Sequence, residues 1–556
     1  MNPTFYRRSL LALWFVASLG QQVGAQTAPG SPIPENLLSV AERSNYTQTA
    51  TFDQTVALVD VIAAAHPEAA RRSSMGATEE GRVLPLLILS RPPVSTPQEA
   101  RELCDKTGRV LVFLFGNIHA GEVDGKEALP MLARELLSTP NEPLLDQLVI
   151  VIAPIYNADG NERFAPNDIN RKGQNGPTSM GIRENSKGLD LNRDYVKLAS
   201  AEGRSMVQFF NEWDPHVVAD CHITNGSYHR FLITYAGPKA PAGDSRVIDF
   251  SNNSFLPDID RRFEAATGEH AFWYGSYEGA FTDQPRGHTR WETFPAQARY
   301  GTTYVGLRGR LSVLVESYSY APYKERVLGT RDFCRAILQS AAAHAGPIRG
   351  LCDGADRYGT ELANGGSVAI RSRDAANPET DTILGYTETT TDGRSGLASD
   401  HAEYQCLILH RAEAELTVTA PVAYAIPPEY TPAIEIVRNH GIRSFVLEEA
   451  REAKVELATI DSLKPATREF QGHVIIQISA TTAPGAATIA PGSVIVPLDQ
   501  PLSPLAVYLL EPACEDGLAA WNFFDSGLAL GKPFPVLRIT SPIETWKPEP
   551  APSSKP

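Results

Sequence analysis

The chain has 556 residues, of which 42% are hydrophobic, and a formal net charge of -15. At roughly 150 residues per domain, this length predicts more than one folded unit, about two to four. The acidic balance argues against nucleic acid and anionic membrane surfaces as partners, because the field of the protein repels both.

The first 25 residues are typical of a secretory signal peptide. Arg7 and Arg8 form a positive region, residues 10–20 form an apolar stretch, and small residues at 23–25 suit a cleavage site. An uncleaved membrane anchor is the alternative, but the apolar stretch is too short to span a bilayer comfortably. We therefore expect a secreted or periplasmic protein with no stable membrane insertion after the signal is cleaved.

From about residue 53 to residue 345, predicted strands and helices alternate. Helices are predicted over Thr51–Ala65 and residues 125–137, and short apolar runs predict strands over 84–89, 110–115, 148–153, 216–222 and 311–316. Runs that are apolar on both faces are typical of buried strands in a largely parallel sheet. The predicted fold class is therefore α/β, with a mixed, largely parallel central sheet flanked by helices. Ligands are expected at the strand ends of such a sheet.

The character of the sequence changes at residues 346–354, a Gly- and Pro-containing stretch that is interpreted as a turn. The region beyond it is predicted to be strand-rich, with one helix over Thr431–His440. The predicted organisation is a signal peptide (1–25), a leader (26–50), an α/β domain (51–350), a strand-rich C-terminal domain or domains (355–545) and a disordered tail (546–556).

The turn at residues 116–122 carries the first candidate metal ligands. His119 and Glu122 are three residues apart between a predicted strand and a predicted helix, so both side chains can point at one ion. Imidazole and carboxylate are zinc ligands, and a catalytic zinc takes three protein ligands with one position left for water. The spacing alone is weak evidence, since His410 and Glu413 have the same spacing. No further candidate ligands accompany that pair, and it is interpreted as a surface or edge feature.

Two further polar residues close predicted apolar strands. His222 is a candidate third ligand, with His216 and His229 as rivals; the alternative is a hydrogen-bonded core histidine. Glu316 closes a later strand, where an unpaired carboxylate is costly to bury, so it is either ion-paired or functional. Partial desolvation raises the pKa of such a glutamate toward the working pH, which suits a general base.

A cluster of polar and basic residues lies between these positions. Asp190 and Asn192 would share a face if the chain were extended there, with Arg193 directly after them. A guanidinium forms a bidentate fork for a carboxylate, and an amide adds further contacts, so the cluster is a candidate anion site. The alternative is a solvated charged loop.

Taken in order, these motifs resemble the zinc metallocarboxypeptidases of the carboxypeptidase A/B-like type. The resemblance covers roughly residues 50–345 and rests on the His119–Glu122 turn, residues 154–160, 170–172 and 188–193, His222, and residues 315–317. Residues 420–540 are similar to the C-terminal part of large secreted bacterial members.

The resemblance implies one zinc ion per chain. His119, Glu122 and His222 would be its ligands, and Asp190 would orient the imidazole of His119.

The resemblance also implies the residues that act on the substrate. Arg171 would polarise the scissile carbonyl and stabilise the oxyanion, and Glu316 would be the general base. Asn192 and Arg193 would bind the substrate's C-terminal carboxylate. A substrate-capping tyrosine is assigned by no motif; the candidates are Tyr304, Tyr300 and, less strongly, Tyr277.

The implied function is an exported zinc carboxypeptidase that hydrolyses the C-terminal peptide bond of peptides or proteins. One alternative keeps this chemistry and acts on cell-wall peptides or other non-standard amides. Another alternative is an inactive peptide-binding module, against which the complete set of ligands, arginines and base argues.

Overall fold

Strands and helices alternate along the described chain between Phe52 and Glu361. The computed structural model describes residues 33–224, 226–279, 287–391, 394–543 and 546. The predicted signal peptide and, beyond residue 546, the predicted tail lie outside the described residues. Among the helices that are described, none combines the length and apolarity needed to cross a bilayer.

The secondary structure follows the predicted alternation closely. The α-helices are α1 (Val40–Arg43), α2 (Phe52–Ala65), α3 (Pro97–Thr107), α4 (Asp124–Ser138), α5 (Leu144–Gln147), α6 (Ala158–Asn161), α7 (Asn167–Asn170), α8 (Ala201–Trp213), α9 (Ser245–Phe250), α10 (Leu256–Thr267), α11 (Gly301–Leu307), α12 (Tyr323–Ala343), α13 (Ala345–Glu361), α14 (Thr431–Asn439) and α15 (Ser503–Leu510). The strands up to α12 are β1 (Ala70–Ala77), β2 (Val83–Leu89), β3 (Val110–Gly116), β4 (Leu148–Ala153), β5 (Ala165–Pro166), β6 (Ser179–Met180), β7 (Val217–Thr224), β8 (Ile233–Ala236), β9 (Ala271–Trp273), β10 (Ser276–Tyr277), β11 (Arg290–Glu292) and β12 (Leu311–Tyr318).

The central sheet has eight strands in the order β1-β2-β4-β3-β7-β12-β8-β9. Its middle strands β4, β3, β7 and β12 run parallel, whereas β1, β2 and β8 pair antiparallel with their inner neighbours. The four parallel strands are buried along their whole length, as expected for a sheet covered on both faces. The predicted mixed, largely parallel fold class is therefore confirmed.

The two faces of the sheet pack against separate cores. Along β3, Phe113 and Phe115 enter one cluster with residues of α8, while Val112 and Leu114 enter the other with residues of α4. This division follows from the two-residue period of a strand, which sends successive side chains to opposite faces. The carboxyl ends of β3, β7 and β12 consequently meet at one edge, held between two packed layers.

The stretch at 346–354 is helical, so its interpretation as a turn is wrong. It lies inside α13, where Pro347 occupies the first turn, a position at which a backbone N–H would have no intrahelical acceptor in any case. Ile348, Cys352 and Ala355 are buried on one face of this helix. Their packing outweighs the low helix propensity of the glycines between them.

The remainder of the chain is strand-rich, as predicted. Its strands are β13 (Ser367–Ala375), β14 (Thr380–Thr391), β15 (Arg394–Leu409), β16 (Arg411–Thr419), β17 (Ala423–Ile426), β18 (Phe445–Val446), β19 (Arg451–Pro465), β20 (Ile476–Ile489), β21 (Val494–Pro497) and β22 (Leu537–Ile539). Tyr424, Tyr508 and Trp521 belong to the same apolar core as Phe113 of the central sheet. The described residues from Ile33 onward form one compact unit, and the predicted boundary between 350 and 355 stays a prediction.

Two fully buried histidines predict a loss of stability in acid. Burial lowers the pKa of His229 and of His440 from 6.5 to about 3. Below pH 6.5 the unfolded chain therefore binds protons that the folded chain excludes, and stability falls as the pH falls. The expected loss is about 2 kcal/mol per histidine between pH 6.5 and pH 5.

The measurement is the melting temperature of the wild type and of His440→Gln across this pH range. Glutamine keeps polar atoms for Tyr304 and Val196 but does not titrate, so the pH slope should become shallower. A His270→Gln variant, at an exposed histidine, is the control. An unchanged slope in His440→Gln would contradict the prediction.

Candidate active site

A tight turn after β3 presents two of the predicted metal ligands. Asn117 adopts a positive φ of 66°, and its side-chain amide donates to the carbonyl of Ala120 at 3.1 Å. The turn is closed by the amide of Glu122, which donates to the carbonyl of His119 at 2.9 Å. A side chain at Gly121 would come within 2.7 Å of Arg171 and 3.0 Å of the carbonyl of Gly181, so only glycine fits there.

His119, Glu122 and His222 converge at the carboxyl edge of the sheet. The Nδ1 atoms of the two histidines lie 3.2 Å apart. The Glu122 carboxylate lies 3.0 Å from Nδ1 of His119 and 2.9 Å from Nδ1 of His222. All three side chains are buried, and one ligand atom from each lies within 4.8 Å of the others. The structure thus brings His222 onto a pair of residues that lies 100 or more positions earlier in the chain.

The far nitrogen of each imidazole contacts a carboxylate. Nε2 of His119 lies 3.1 Å from Asp190, and Nε2 of His222 lies 2.8 Å from Asp220. Burial alone would raise the pKa of Asp190, but His119 and Arg183 hold it well below its ordinary value. Each carboxylate can accept a hydrogen bond from the Nε2 atom of its histidine, which leaves Nδ1 directed at the shared centre.

Asp220 is a site residue that the sequence reasoning missed. It precedes His222 by two residues on β7, and the two-residue period of a strand places both side chains on the same face. The spacing of the two residues within a predicted strand was the available signal.

We expect Asp220→Asn to lower zinc affinity by about tenfold to a hundredfold, because the amide offers His222 a weaker acceptor. Zinc affinity measured by competition with a chelator tests this, with Asp249→Asn, at an exposed aspartate on α9, as the control. Equal affinity of Asp220→Asn and the wild type would show that Asp220 does not support the ligand.

Glu316 lies beside His222 on the neighbouring parallel strand. The register of β12 and β7 places these two residues opposite each other. Burial raises the pKa of Glu316; the charge of His222 opposes this shift, and the negative charge of Glu122 adds to it. A carboxylate with a raised pKa next to the three converging ligands has the properties of a general base.

A cavity of about 280 Å³ opens over these residues. It is lined by His119, Glu122, Arg183, Asn192, Arg193, His222, Ile223, Thr224, Tyr274, Phe294, Tyr300, Thr302, Leu314 and Glu316. The side of the His119–Glu122–His222 cluster that faces the cavity is therefore surrounded by cationic, amide, hydroxyl and aromatic groups.

Two arginines contact Glu122, and they differ in their exposure and in their other contacts. Arg171 is 9% exposed and donates to Glu122, to the carbonyl of Ile223 and to Gln174, each at 3.0 Å. Arg183, which the sequence reasoning missed, is 35% exposed, lies 3.6 Å from Glu122 and lines the cavity. The guanidinium of Arg171 is thus nearly buried beside the Glu122 carboxylate, whereas that of Arg183 lines the open space.

Asn192 and Arg193 follow Asp190 in a short 3-10 turn and both line the cavity. The Asn192 side chain accepts a 2.9 Å hydrogen bond from the amide of Gly301. The Arg193 guanidinium lies 4.2 Å above the ring of Tyr300 and donates to the carbonyl of Asn192 at 2.7 Å. The cluster is a folded turn rather than the extended segment considered from the sequence.

Tyr304 does not line the cavity, so this structure does not support a substrate-binding role for it. Its side chain is fully buried on α11, and its hydroxyl lies 2.8 Å from Nδ1 of His440. Tyr300 and Tyr274 line the cavity instead, and of these only Tyr300 was a candidate. Tyr277 packs against Trp291, within a separate cluster.

The rival histidines lie away from the three ligands. His216 accepts from the amide of Leu111, and His229 packs against Tyr318. His410 stacks on the ring of Trp273, and within the described part of the chain it joins no group of potential metal ligands.

Comparisons with known proteins agree with this arrangement. A model of the zinc carboxypeptidase family matches residues 55–232. Carboxypeptidase 2 of Trichophyton rubrum is 22% identical over 486 residues, covering 83% of this chain and 81% of that protein. Carboxypeptidase D of Mus musculus is 37% identical over 150 residues, covering 25% of this chain and 11% of that protein. A metallo-carboxypeptidase structure from Burkholderia cenocepacia covers 53% of this chain and 70% of its own, at 16% identity and a TM-score of 0.38.

The family match includes the turn that carries His119 and Glu122, the strand that carries His222, and the segment between them. Similarity to Carboxypeptidase 2 extends over most of the chain. Residues 55–232 therefore form a zinc carboxypeptidase family region, and the relatives identify the chain as a metallocarboxypeptidase.

Proposed function

We propose that this chain is an exported zinc-dependent enzyme that hydrolyses the C-terminal peptide bond of peptides, with Glu316 as general base. One observation carries the proposal: two imidazole nitrogens and a carboxylate converge at the edge of the sheet, and Glu316 lines the cavity above them. The family match indicates the class of reaction. The positions of the side chains around the cavity are the basis for the role proposed for each residue.

The donor set fits zinc. Two imidazoles and one carboxylate, each imidazole held by a second carboxylate, match the protein ligands and supporting contacts of catalytic zinc sites. A zinc ion bound by His119, Glu122 and His222 supplies a Lewis acid for the scissile carbonyl and lowers the pKa of a water molecule. We propose one such ion per chain.

In the proposed reaction, Glu316 transfers a proton from the attacking water to the leaving amine. Its carboxylate accepts a proton from the attacking water and later donates it to the nitrogen of the leaving amine. The raised pKa favours this exchange, because a group that titrates near the working pH both accepts and releases a proton readily.

The resemblance implies Arg171 for the oxyanion contact. Because the guanidinium of Arg183 lines the cavity and that of Arg171 pairs with Glu122, we propose Arg183 for this contact and a role for Arg171 in positioning Glu122. Comparison of Arg183→Ala with Arg171→Ala separates these roles. Loss of the oxyanion contact lowers kcat with zinc affinity retained, whereas loss of the positioning contact lowers zinc affinity.

Arg193 and Asn192 form the proposed clamp for the substrate's terminal carboxylate. The ring of Tyr300 and the carbonyl of Asn192 hold the Arg193 guanidinium in place, so little side-chain freedom remains to be lost on binding. A fixed guanidinium fork suits a planar carboxylate.

The testing experiment compares peptides that differ only at the C-terminus, as free acid or amide, with the purified zinc-loaded protein. We expect release of single C-terminal residues from the free acids, loss of turnover with a chelator, and recovery on addition of zinc. Equal cleavage of the amides, or cleavage of cell-wall peptides alone, would overturn the C-terminal exopeptidase assignment.

We expect Arg193→Lys to lower kcat/KM for free-acid peptides by about tenfold to a hundredfold, because lysine cannot form the bidentate contact. Steady-state kinetics with acid and amide peptides tests this, and Arg163→Lys, at an arginine that is 48% exposed, is the control. A similar loss on both kinds of peptide would place Arg193 outside the clamp.

Export rests on residues 1–25 and has its own test. Mass spectrometry of the protein from culture medium or periplasm should find a mature N-terminus close to residue 26. An intact N-terminus on protein retained in the cytoplasm would overturn this part of the proposal.

A further inference from the structure

The strand-rich region reaches the active site through a turn between β19 and β20. Phe470 and His473 exchange backbone hydrogen bonds of 2.8 and 3.1 Å, which leaves two residues in the loop. Both adopt left-handed backbone conformations, Gln471 with φ of 54° and Gly472 with φ of 79°. Asn and Gly are the residues that favour such a loop, so glutamine at the first position is unusual.

This turn is fixed to the body of the protein rather than projecting freely. His473 lies 3.2 Å from the side-chain oxygen of Asn522 and packs edge-on against Trp521 at 5.3 Å. Trp521 is fully buried and donates to Asp516 at 2.8 Å. The position of Gln471 is therefore set by a buried cluster of the strand-rich region.

The side chain of Gln471 contacts the segment that supports the metal site. Its Oε1 accepts a 2.9 Å hydrogen bond from the backbone amide of Asp190, a residue 281 positions earlier in the chain. The carboxylate of Asp190 in turn contacts His119, Arg183 and the amide of Asn192. Gln471 thus fixes the backbone from which the partner of His119 and the proposed carboxylate clamp both extend.

A second contact from the same region supports another segment beside the cavity. Asp516 accepts from the backbone amide of Arg299 at 2.7 Å and from its guanidinium at 2.8 Å, and both residues are buried. Tyr300, the next residue, lines the cavity and stacks on Arg193. Two contacts, one from Gln471 and one from Asp516, thus connect the strand-rich region to the segments that shape the site.

We propose that Gln471 is a positioning residue of the active site, and that the strand-rich region completes the site instead of forming a separate binding module. The proposal rests on the proposed function, because Asp190 matters for turnover only if His119 holds the metal. Gln471 itself touches neither metal nor substrate; it acts through Asp190.

The test uses the full-length protein with two substitutions at one position. Gln471→Met keeps the length of the side chain and removes the acceptor, whereas Gln471→Glu keeps an oxygen at the same place. Gln477→Met, at an exposed glutamine on β20, is the matched control. The readouts are the zinc dissociation rate, kcat and KM on a free-acid peptide, and the melting temperature.

We expect Gln471→Met to speed zinc loss and to lower kcat/KM by about three- to tenfold each, less than the loss expected for a direct partner of a ligand. Gln471→Glu should restore both, and Gln477→Met should change neither. A purely structural role would lower the melting temperature of Gln471→Met and leave zinc dissociation from the folded protein unchanged, which would overturn the proposal.

Different results would refute the proposed function and the role of Gln471. A wild-type protein without zinc binding or carboxypeptidase turnover would refute the proposed function. An active wild type whose Gln471→Met variant matches it in zinc dissociation and kinetics would refute the role of Gln471 alone.

Discussion

Replacing Glu316 with Gln is expected to leave zinc binding intact and to lower kcat by about 100- to 10,000-fold. The amide has the shape of the carboxylate and keeps its polar atoms, but it cannot accept a proton from the attacking water. Glu316 contributes no ligand atom to the converging cluster, so removal of its charge leaves the three ligands in place. The loss should therefore appear in kcat and not in metal content.

The measurements are kcat on a free-acid peptide and zinc content per chain. Glu264→Gln, at a glutamate on α10 that is 54% exposed, controls for the loss of one negative charge. Near-normal turnover in Glu316→Gln would show that another group acts as the base. Loss of zinc from the variant would instead indicate that Glu316 helps to hold the metal.

The second large effect concerns stability and involves Arg326. Its guanidinium is fully buried on α12 and contacts the equally buried carboxylate of Asp124 at 2.9 Å. It also donates to the backbone carbonyls of Asn175, Gly176, Ser319 and Ala321. We expect Arg326→Met to lower the free energy of unfolding by about 3–5 kcal/mol, because it leaves a buried charge without its partner.

Arg331 on the same helix provides a matched control. It pairs with Glu135 at 2.9 Å, but both side chains are partly exposed, at 22% and 30%. Arg331→Met should therefore cost about 1 kcal/mol or less in the same denaturant titration. Adding Asp124→Leu to Arg326→Met should recover part of the loss, since the unpaired charge is then removed. Equal effects of the two arginine variants would contradict this account.

The environment of Arg326 also links stability to the site. Asp124 accepts a 2.6 Å hydrogen bond from Ser317, which follows Glu316 on β12. The partially destabilised Arg326→Met protein should therefore show lower kcat even under conditions where it remains folded.

Local pattern predicted the elements that carry the site. The apolar run at 110–115 and the polar turn after it predicted a buried strand followed by a turn that carries His119 and Glu122, and the structure has both. Similar reasoning placed His222 and Glu316 at the ends of buried strands. These inferences succeeded because the side-chain period of a strand and the cost of burying a polar group are properties of a short segment.

The same reasoning had no means of choosing between residues that differ only in what covers them. Tyr304 and Tyr300 are four residues apart around α11, yet one contacts His440 in the core and the other faces the cavity. Arg171 and Arg183 both contact Glu122, but only the latter lines the open space.

The sequence by itself determined the α/β class, the order of strands and helices around the site, and the residue types able to hold zinc. The tertiary structure alone decided that His119 and His222 share one centre, which arginine lines the cavity, and that Gln471 reaches Asp190. The physical reason is the distance along the chain over which each effect acts. Periodicity and burial cost report which face of a segment avoids water, whereas contacts between residues more than a hundred positions apart depend on strand order and on packing between layers.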